Sequence, residues 1–333
     1  MARSHLTLAA LATAAVADLD VRSTGPHGSV GAGDFDSARL AGGAGEQWII
    51  RVPRTQRAEA VQSADLVALR ALSPGVRGRL SFQVPAYRGQ APVAQTRAIL
   101  YDFVDGSPLS VSDVVVGSGL PSAVGGAVAA IHSLPTSFVT DAGLTSHTPF
   151  EAMRSSASVV DRAASTGLLP AALLERWETA IQDSQLWQFQ PTVINGSLES
   201  SSVLVSGDRI TGILGWQELQ IADPAKDLAW VLGAPTTDAV DAVFDAYAAA
   251  RGTSERQLRN RATLYHELDL AKWLLHGTHT KNADVVDDAV EMMSRLVDAV
   301  QHDEERPLVV GTTEALDVDG VADLLAATER HRP

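Results

Sequence analysis

The segment VINGSLESSSVLV (193–205) sets a polar, serine-crowded bend between apolar flanks, a place where a rigid frame could mount chemistry. Its side chains supply hydroxyls, one amide and a single ionisable group, Glu199. A serine nucleophile needs an activating base, and the segment has neither a G-x-S-x-G elbow nor a neighbouring His. Metal chemistry could be sought instead at His266, His276 and His279 with Glu267 and Asp269. His276 and His279, three apart, could share an ion, although histidines of a helix surface or core look the same in sequence. GSVGAGDFDS (28–37) has glycines but no Lys and opens no helix, so it is not a P-loop. The chain has no cysteine, which removes disulfides, thiolate zinc sites and Cys nucleophiles and fits a reducing cytoplasm.

The elements that must position these groups fall into two halves. Residues 20 to 103 read as strand-rich: DFDSARL and EQWIIRVP flank a Gly-rich turn as a hairpin, and RAILYDFV (97–104) is a further strand. Between them TQRAEAVQSADLVALRAL carries Ala58, Val61, Leu66 and Leu69 at helical spacing, with Thr55 as cap. Beyond Gly106 helical periodicity dominates, in segments that begin near Leu120, Leu169, Thr237, Leu258 and Ala283. Short strands interrupt it between 191 and 215, including the hairpin VLVSGDRITGIL. The first residues, MARSHLTLAALATAAVAD, read either as a secretory leader ending at Ala15-Val16-Ala17 or as a helix with Leu8, Leu11, Ala15 and Leu19 on one face.

At 333 residues the chain exceeds the usual size of a single core, and with 45% apolar residues it can fill two lobes. A formal charge of −14 argues against nucleic acid or an anionic membrane as partner. Much of that excess is late: from Asp284 onward there are 13 Asp or Glu against 4 Arg. No apolar run approaches the roughly 20 residues that span a bilayer.

This order of elements, with EQWIIRVPR, SADLVAL, VAAIHSLP (128–135) and DPAKDLAW (223–230) in sequence, resembles the aminoglycoside and macrolide phosphotransferase family in its actinobacterial macrolide-kinase-like branch. The resemblance implies an α+β, bilobal, protein-kinase-like fold. Residues 1–103 would form a nucleotide-type lobe, 104–310 a helical lobe, and 311–333 a tail with one short amphipathic helix. It sets Arg51 at the position of a phosphate-pairing Lys, with Asp65 or Glu59 as the acid that would close a salt bridge to it. It implies a cofactor cleft at Arg51, Asp65, Tyr101 and Phe103, and it casts Asp227 as the support of the catalytic loop.

The family's loop, H-G-D, four intervening residues, then Asn and later an I-D-W segment, is similar in spacing to Asn195-Gly196-Ser197, Ser202 and Leu214-Gly215-Trp216. The resemblance therefore sets Ser197 where a base Asp belongs, Asn195 where a His belongs, and Ser202 and Gly215 at metal-ligand positions. A serine is neutral near neutral pH, and a glycine offers a hard cation nothing. The chain is thus expected to be a pseudokinase without cofactor, retained as a small-molecule or protein-binding module whose protein partner the sequence does not name. The alternative is a working kinase that uses ATP or GTP with Mg²⁺ on a macrolide-type antibiotic, with Glu199 and Glu218 as displaced ligands.

Overall fold

The computed structural model describes residues 3–28, 33–253, 255–302 and 308. The expected C-terminal tail helix, and part of the Gly-rich segment at 28–37, lie outside the described residues.

The small lobe opens with helix α1 (His5–Ala15), capped by the Ser4 hydroxyl, which accepts the Thr7 N–H. Strands β1 (Val21–Pro26), β2 (Phe35–Gly42) and β3 (Gln47–Pro53) follow, then α2 (Gln56–Ala71), a single turn α3 (Pro74–Arg77), β4 (Tyr87–Val93) and β5 (Thr96–Asp102). The five strands form one antiparallel sheet in the order β1-β2-β3-β5-β4.

Strand alternation divides the small lobe into a sealed face and a cleft face. Trp48, Ile50 and Val52 of β3, with Ala98 and Leu100 of β5, point to a core that α1 closes with Leu8 and Ala12. Ile49 and Arg51 point the other way, as does Tyr101 opposite Ile49. The first segment is therefore an integral helix of the lobe. Its buried pair is Leu8 and Ala12, with Leu11, Ala15 and Leu19 packed more loosely at the edge. In α2 the buried face is Ala58, Gln62, Leu66 and Leu69. Val61, expected inside, is exposed because the face is one position further on.

The connector β6 (Ser107–Pro108) leads to α4 (Leu120–His132), α5 (Ser137–Asp141), α6 (Pro149–Ala164) and α7 (Ala171–Gln182). The short strands β7 (Thr192–Ile194), β8 (Val203–Ser206), β9 (Arg209–Ile213) and β10 (Gln220–Ala222) come next. A 3₁₀ segment (Pro224–Gly233) then precedes α8 (Thr237–Arg251), α9 (Leu258–Thr280) and α10 (Ala283–His302). Helix α6 has a reciprocal capping box between Thr148 and Glu151. β7 pairs with β10, and β6, β8 and β9 make a small three-stranded sheet. The lobes are stitched along the backbone: Gln83 N–H donates to the Thr211 carbonyl at 2.8 Å, and Gln83 O accepts Ile213 N–H at 3.0 Å. No helix among the described residues is long and apolar enough to cross a membrane.

Candidate functional site

The loop 195–202 leaves the buried strand β7, and one carboxylate holds its start. Asp227, fully buried in the 3₁₀ segment, accepts Asn195 N–H at 2.7 Å and Gly196 N–H at 2.8 Å. His132 of α4 lies against the same carboxylate, with Nε2 at 3.2 Å, while its Nδ1 is 2.9 Å from the Tyr247 hydroxyl of α8. Three elements of the helical lobe thus fix the loop from below.

Above that support the polar side chains satisfy one another. Asn195 Nδ2 donates to the Gly215 carbonyl at 2.9 Å, and Asn195 Oδ1 accepts Ser197 N–H at 3.1 Å, which closes an Asx turn. The Ser197 hydroxyl lies 3.3 Å from the Gly215 carbonyl and accepts from Gln217 Nε2 at 2.8 Å. Gly215 adopts φ +70°, in the left-handed region. A Cβ there would stand 3.5 Å from Gln217 Oε1 and 3.7 Å from Ser202 Oγ, so those two side chains border the space a larger residue would enter.

The loop separates two cavities. On the small-lobe side a cleft of about 430 Å³ is lined by His27, Arg51, Asp65, Tyr101, Phe103 and Gly215. On the helical side a cavity of about 280 Å³ is lined by Ser197, Glu199, Glu218, Lys226, Trp230 and Lys272, among others. The structure therefore brings Arg51, Asp65, Tyr101 and Phe103 together with Gly215, and sets Glu199 and Glu218 in the other cavity.

The salt bridge expected at Arg51 does not form. Among the described residues no carboxylate lies within 4 Å of its guanidinium, which instead packs over the Phe35 ring at 3.9 Å. Asp65, one methylene shorter than a glutamate, accepts the Trp216 backbone N–H at 2.9 Å. Burial pushes its carboxyl up, opposed by that hydrogen bond and by the charge of Arg51. Glu59 lies in a separate surface hollow with Arg54 and Thr55, so Asp65 is the acid that shares the cleft with Arg51. Arg39 covers the Phe103 ring at 4.0 Å. Burial, then Arg51 and Arg39, lower the His27 imidazole, and burial beside Asp65 raises the Tyr101 phenol.

Mg²⁺ takes near-octahedral oxygen ligands, usually with one or two carboxylates among them. Position 215 has no side chain, and positions 197 and 202 carry neutral hydroxyls, that of Ser197 already bonded to Gln217. No three His, Asp or Glu side chains among the described residues form a set that could hold a metal. The residues present do not fit the ion. The histidines of α9 disperse likewise: His276 stacks on Trp273 at 5.4 Å, burial lowers His266, Glu267 pairs with Arg176 at 2.8 Å, and Asp269 pairs with Lys272.

Sequence reasoning missed Gln217, Lys226, Trp230, the cation Arg39 and the cleft imidazole of His27. Gln217 directly follows the Leu214-Gly215-Trp216 segment, which was a signal for the first. The others carry no local mark: the packing of α6, α9 and the 3₁₀ segment around the loop gathers Lys226 and Trp230, and the small-lobe sheet sets Arg39 over Phe103 and His27 in the cleft.

A model of the phosphotransferase enzyme family matches residues 30–301. An uncharacterized protein, YcbJ, of Bacillus subtilis (strain 168) is 26% identical over 208 residues, and the match spans 58% of this chain and 65% of that protein. Among solved structures, macrolide 2'-phosphotransferase MphH from Brachybacterium faecium, as apoenzyme, superposes with a TM-score of 0.70 at 23% identity, covering 86% of this chain and 97% of that one. A macrolide 2'-phosphotransferase type I gives 0.68 at 23%, covering 88% and 98%. The GDP complex of wild-type aminoglycoside 2'-phosphotransferase-IIIa gives 0.70 at 17%, covering 88% and 98%. These likenesses show a kinase-like fold in which an antiparallel sheet leans on a helical lobe.

Proposed function

We infer that this chain, which belongs to the phosphotransferase enzyme family, holds a ligand in its cleft without transferring phosphoryl groups. The observation that supports this is the closed neutral network of Asn195, Ser197, Gln217 and the Gly215 carbonyl, at the positions where the resemblance sets a base and a metal ligand. Phosphoryl transfer draws on charge neutralisation by metal and on a carboxylate that orients the acceptor hydroxyl. A hydroxyl at 197 and a bare backbone at 215 supply neither. Loss of the base alone removes about 10²–10⁴-fold in rate.

The alternative is an ATP- or GTP-dependent macrolide-type O-phosphotransferase with Glu199 and Glu218 as displaced ligands. Arg51, free of any carboxylate within 4 Å among the described residues and facing the cleft, favours retained contact with an anion such as a nucleotide phosphate. It says nothing for the metal.

The deciding measurement is thermal unfolding with ATP or GTP, with and without Mg²⁺, beside a phosphorylation assay on macrolides and aminoglycosides. A ligand at a hundredfold excess over its Kd stabilises by about 2.7 kcal/mol. No Mg²⁺-dependent gain and no turnover are expected. Turnover that is lost in Glu199→Gln or Glu218→Gln would establish the alternative. Ser197→Asp with Gly215→Asp is expected to introduce a Mg²⁺-dependent shift, at a basal cost of about 1 kcal/mol for a side chain in the left-handed conformation at 215.

A further inference from the structure

The helical-side cavity contains a cation and a buried donor that the protein leaves unanswered. Lys226 and Trp230 stand four residues apart on the 3₁₀ segment, and both line the cavity. The Trp230 indole Nε1 is buried with no hydrogen-bond partner. Native proteins pair nearly all such groups, so an orphan donor on a residue that lines a cavity points to a ligand acceptor.

Lys226 is in the same position. The two carboxylates nearest in sequence are already committed. Asp223 accepts from Arg261 Nε at 2.8 Å, the Tyr265 hydroxyl at 2.9 Å and Ala225 N–H at 2.9 Å. Asp227 is spent on the loop amides and His132. No carboxylate oxygen of a described residue lies within 4 Å of the Lys226 ammonium, which stands 5.9 Å from the centre of the Tyr265 ring. Burial lowers the Lys226 ammonium, with Asp223 and Glu218 pulling the other way. Lys272, the other cation of the cavity, is already paired with Asp269 at 2.8 Å. Glu199 and Glu218 border the cavity from the loop side.

We propose that this cavity binds a small organic anion, with a carboxylate or phosphate oxygen set between Lys226 Nζ and Trp230 Nε1. At about 280 Å³ the cavity lies at the small end of ligand sites, which start near 300 Å³. That size suits a compact acid better than a macrolide or an aminoglycoside. The assignment goes beyond the ligand-holding reading, since it sets an anion in the helical-side cavity and not in the small-lobe cleft. Its test contains no nucleotide and no metal, so turnover found elsewhere leaves it standing, and its own failure leaves that reading untouched.

The test follows the indole N–H resonances of ¹⁵N-labelled protein, with Trp230 assigned from Trp230→Phe. Succinate, inorganic phosphate, kanamycin and sodium chloride are titrated at constant ionic strength. The Trp230 resonance is expected to move saturably with succinate or with phosphate, whichever headgroup the cavity accepts, and to ignore chloride and kanamycin. Lys226→Met should weaken that response at least tenfold, and Lys226→Arg should retain most of it, with melting temperatures unchanged. No saturable movement with either anion, an equal affinity in Lys226→Met, or a response to kanamycin at lower concentration than to the anions would overturn the proposal. Should Lys226→Met not fold, the wild-type titration alone decides.

Discussion

Asp65 shows how one side chain can be diverted from the role its position suggests. Its carboxylate takes the Trp216 amide at 2.9 Å instead of Arg51, and burial raises its pKa above the ordinary aspartate value. A raised carboxyl stabilises the fold while it is protonated, and that contribution is lost as pH rises through the folded-state pKa. Asp65→Asn keeps an oxygen for the Trp216 amide and removes the buried charge. The variant is therefore expected to melt higher than wild type at pH 7–8, and the two curves should converge in acid, below the ordinary aspartate pKa of about 3.9. Melting temperature against pH for both proteins checks this; a variant less stable at neutral pH would mean the charge of Arg51 outweighs desolvation.

At this scale the neighbourhood of Asn195, Ser197, Ser202 and Gly215 was legible from spacing, and the structure sets the four side by side. The partner of Arg51 was not. Whether a carboxylate reaches a guanidinium depends on a methylene and on the tilt of α2, neither of which is written in residue types. Lys226 and Trp230 were illegible for another reason. A lysine and a tryptophan four apart read as ordinary helix surface until three other elements wall them in.

Among the elements, α1 carries the sharpest expectation. Leu8 and Ala12 close the core formed by Leu40, Trp48, Ile50 and Leu100 on the sealed face of the sheet. Truncation at a fully buried leucine costs about 2–5 kcal/mol. Leu8→Ala should lower unfolding stability by about 3 kcal/mol in a urea titration, whereas Leu6→Ala, at an exposed position, should change it little. The amphipathic pattern of this segment was visible in sequence, and so was a competing leader reading, because both ask for alanines and leucines in a short run. The structure shows that the segment packs against the sheet as a helix. Helix α6 was marked in sequence by a capping box: Thr148-Pro149-Phe150-Glu151 carries the signature at its start.

For the molecule as a whole, the two-lobe plan was legible from the change of periodicity near Gly106. The ties between the lobes were not, since they run through backbone. Gln83 adds its amide and carbonyl to the edge of β9, and Asp65 of α2 reaches the backbone just beyond it. The net charge of −14 says which partners this surface repels and nothing about how the lobes meet.

The Asp65 hydrogen bond also has a consequence in time. An amide held only by its own loop exchanges its proton with solvent through small local openings, whereas one bonded across two bodies must wait for them to part. The Trp216 N–H should therefore exchange with deuterium as slowly as amides of β3 and β5, and Asp65→Ala should speed it by orders of magnitude while those strands keep their rates. Read by amide exchange, that single proton would be a clock for how often the two lobes separate.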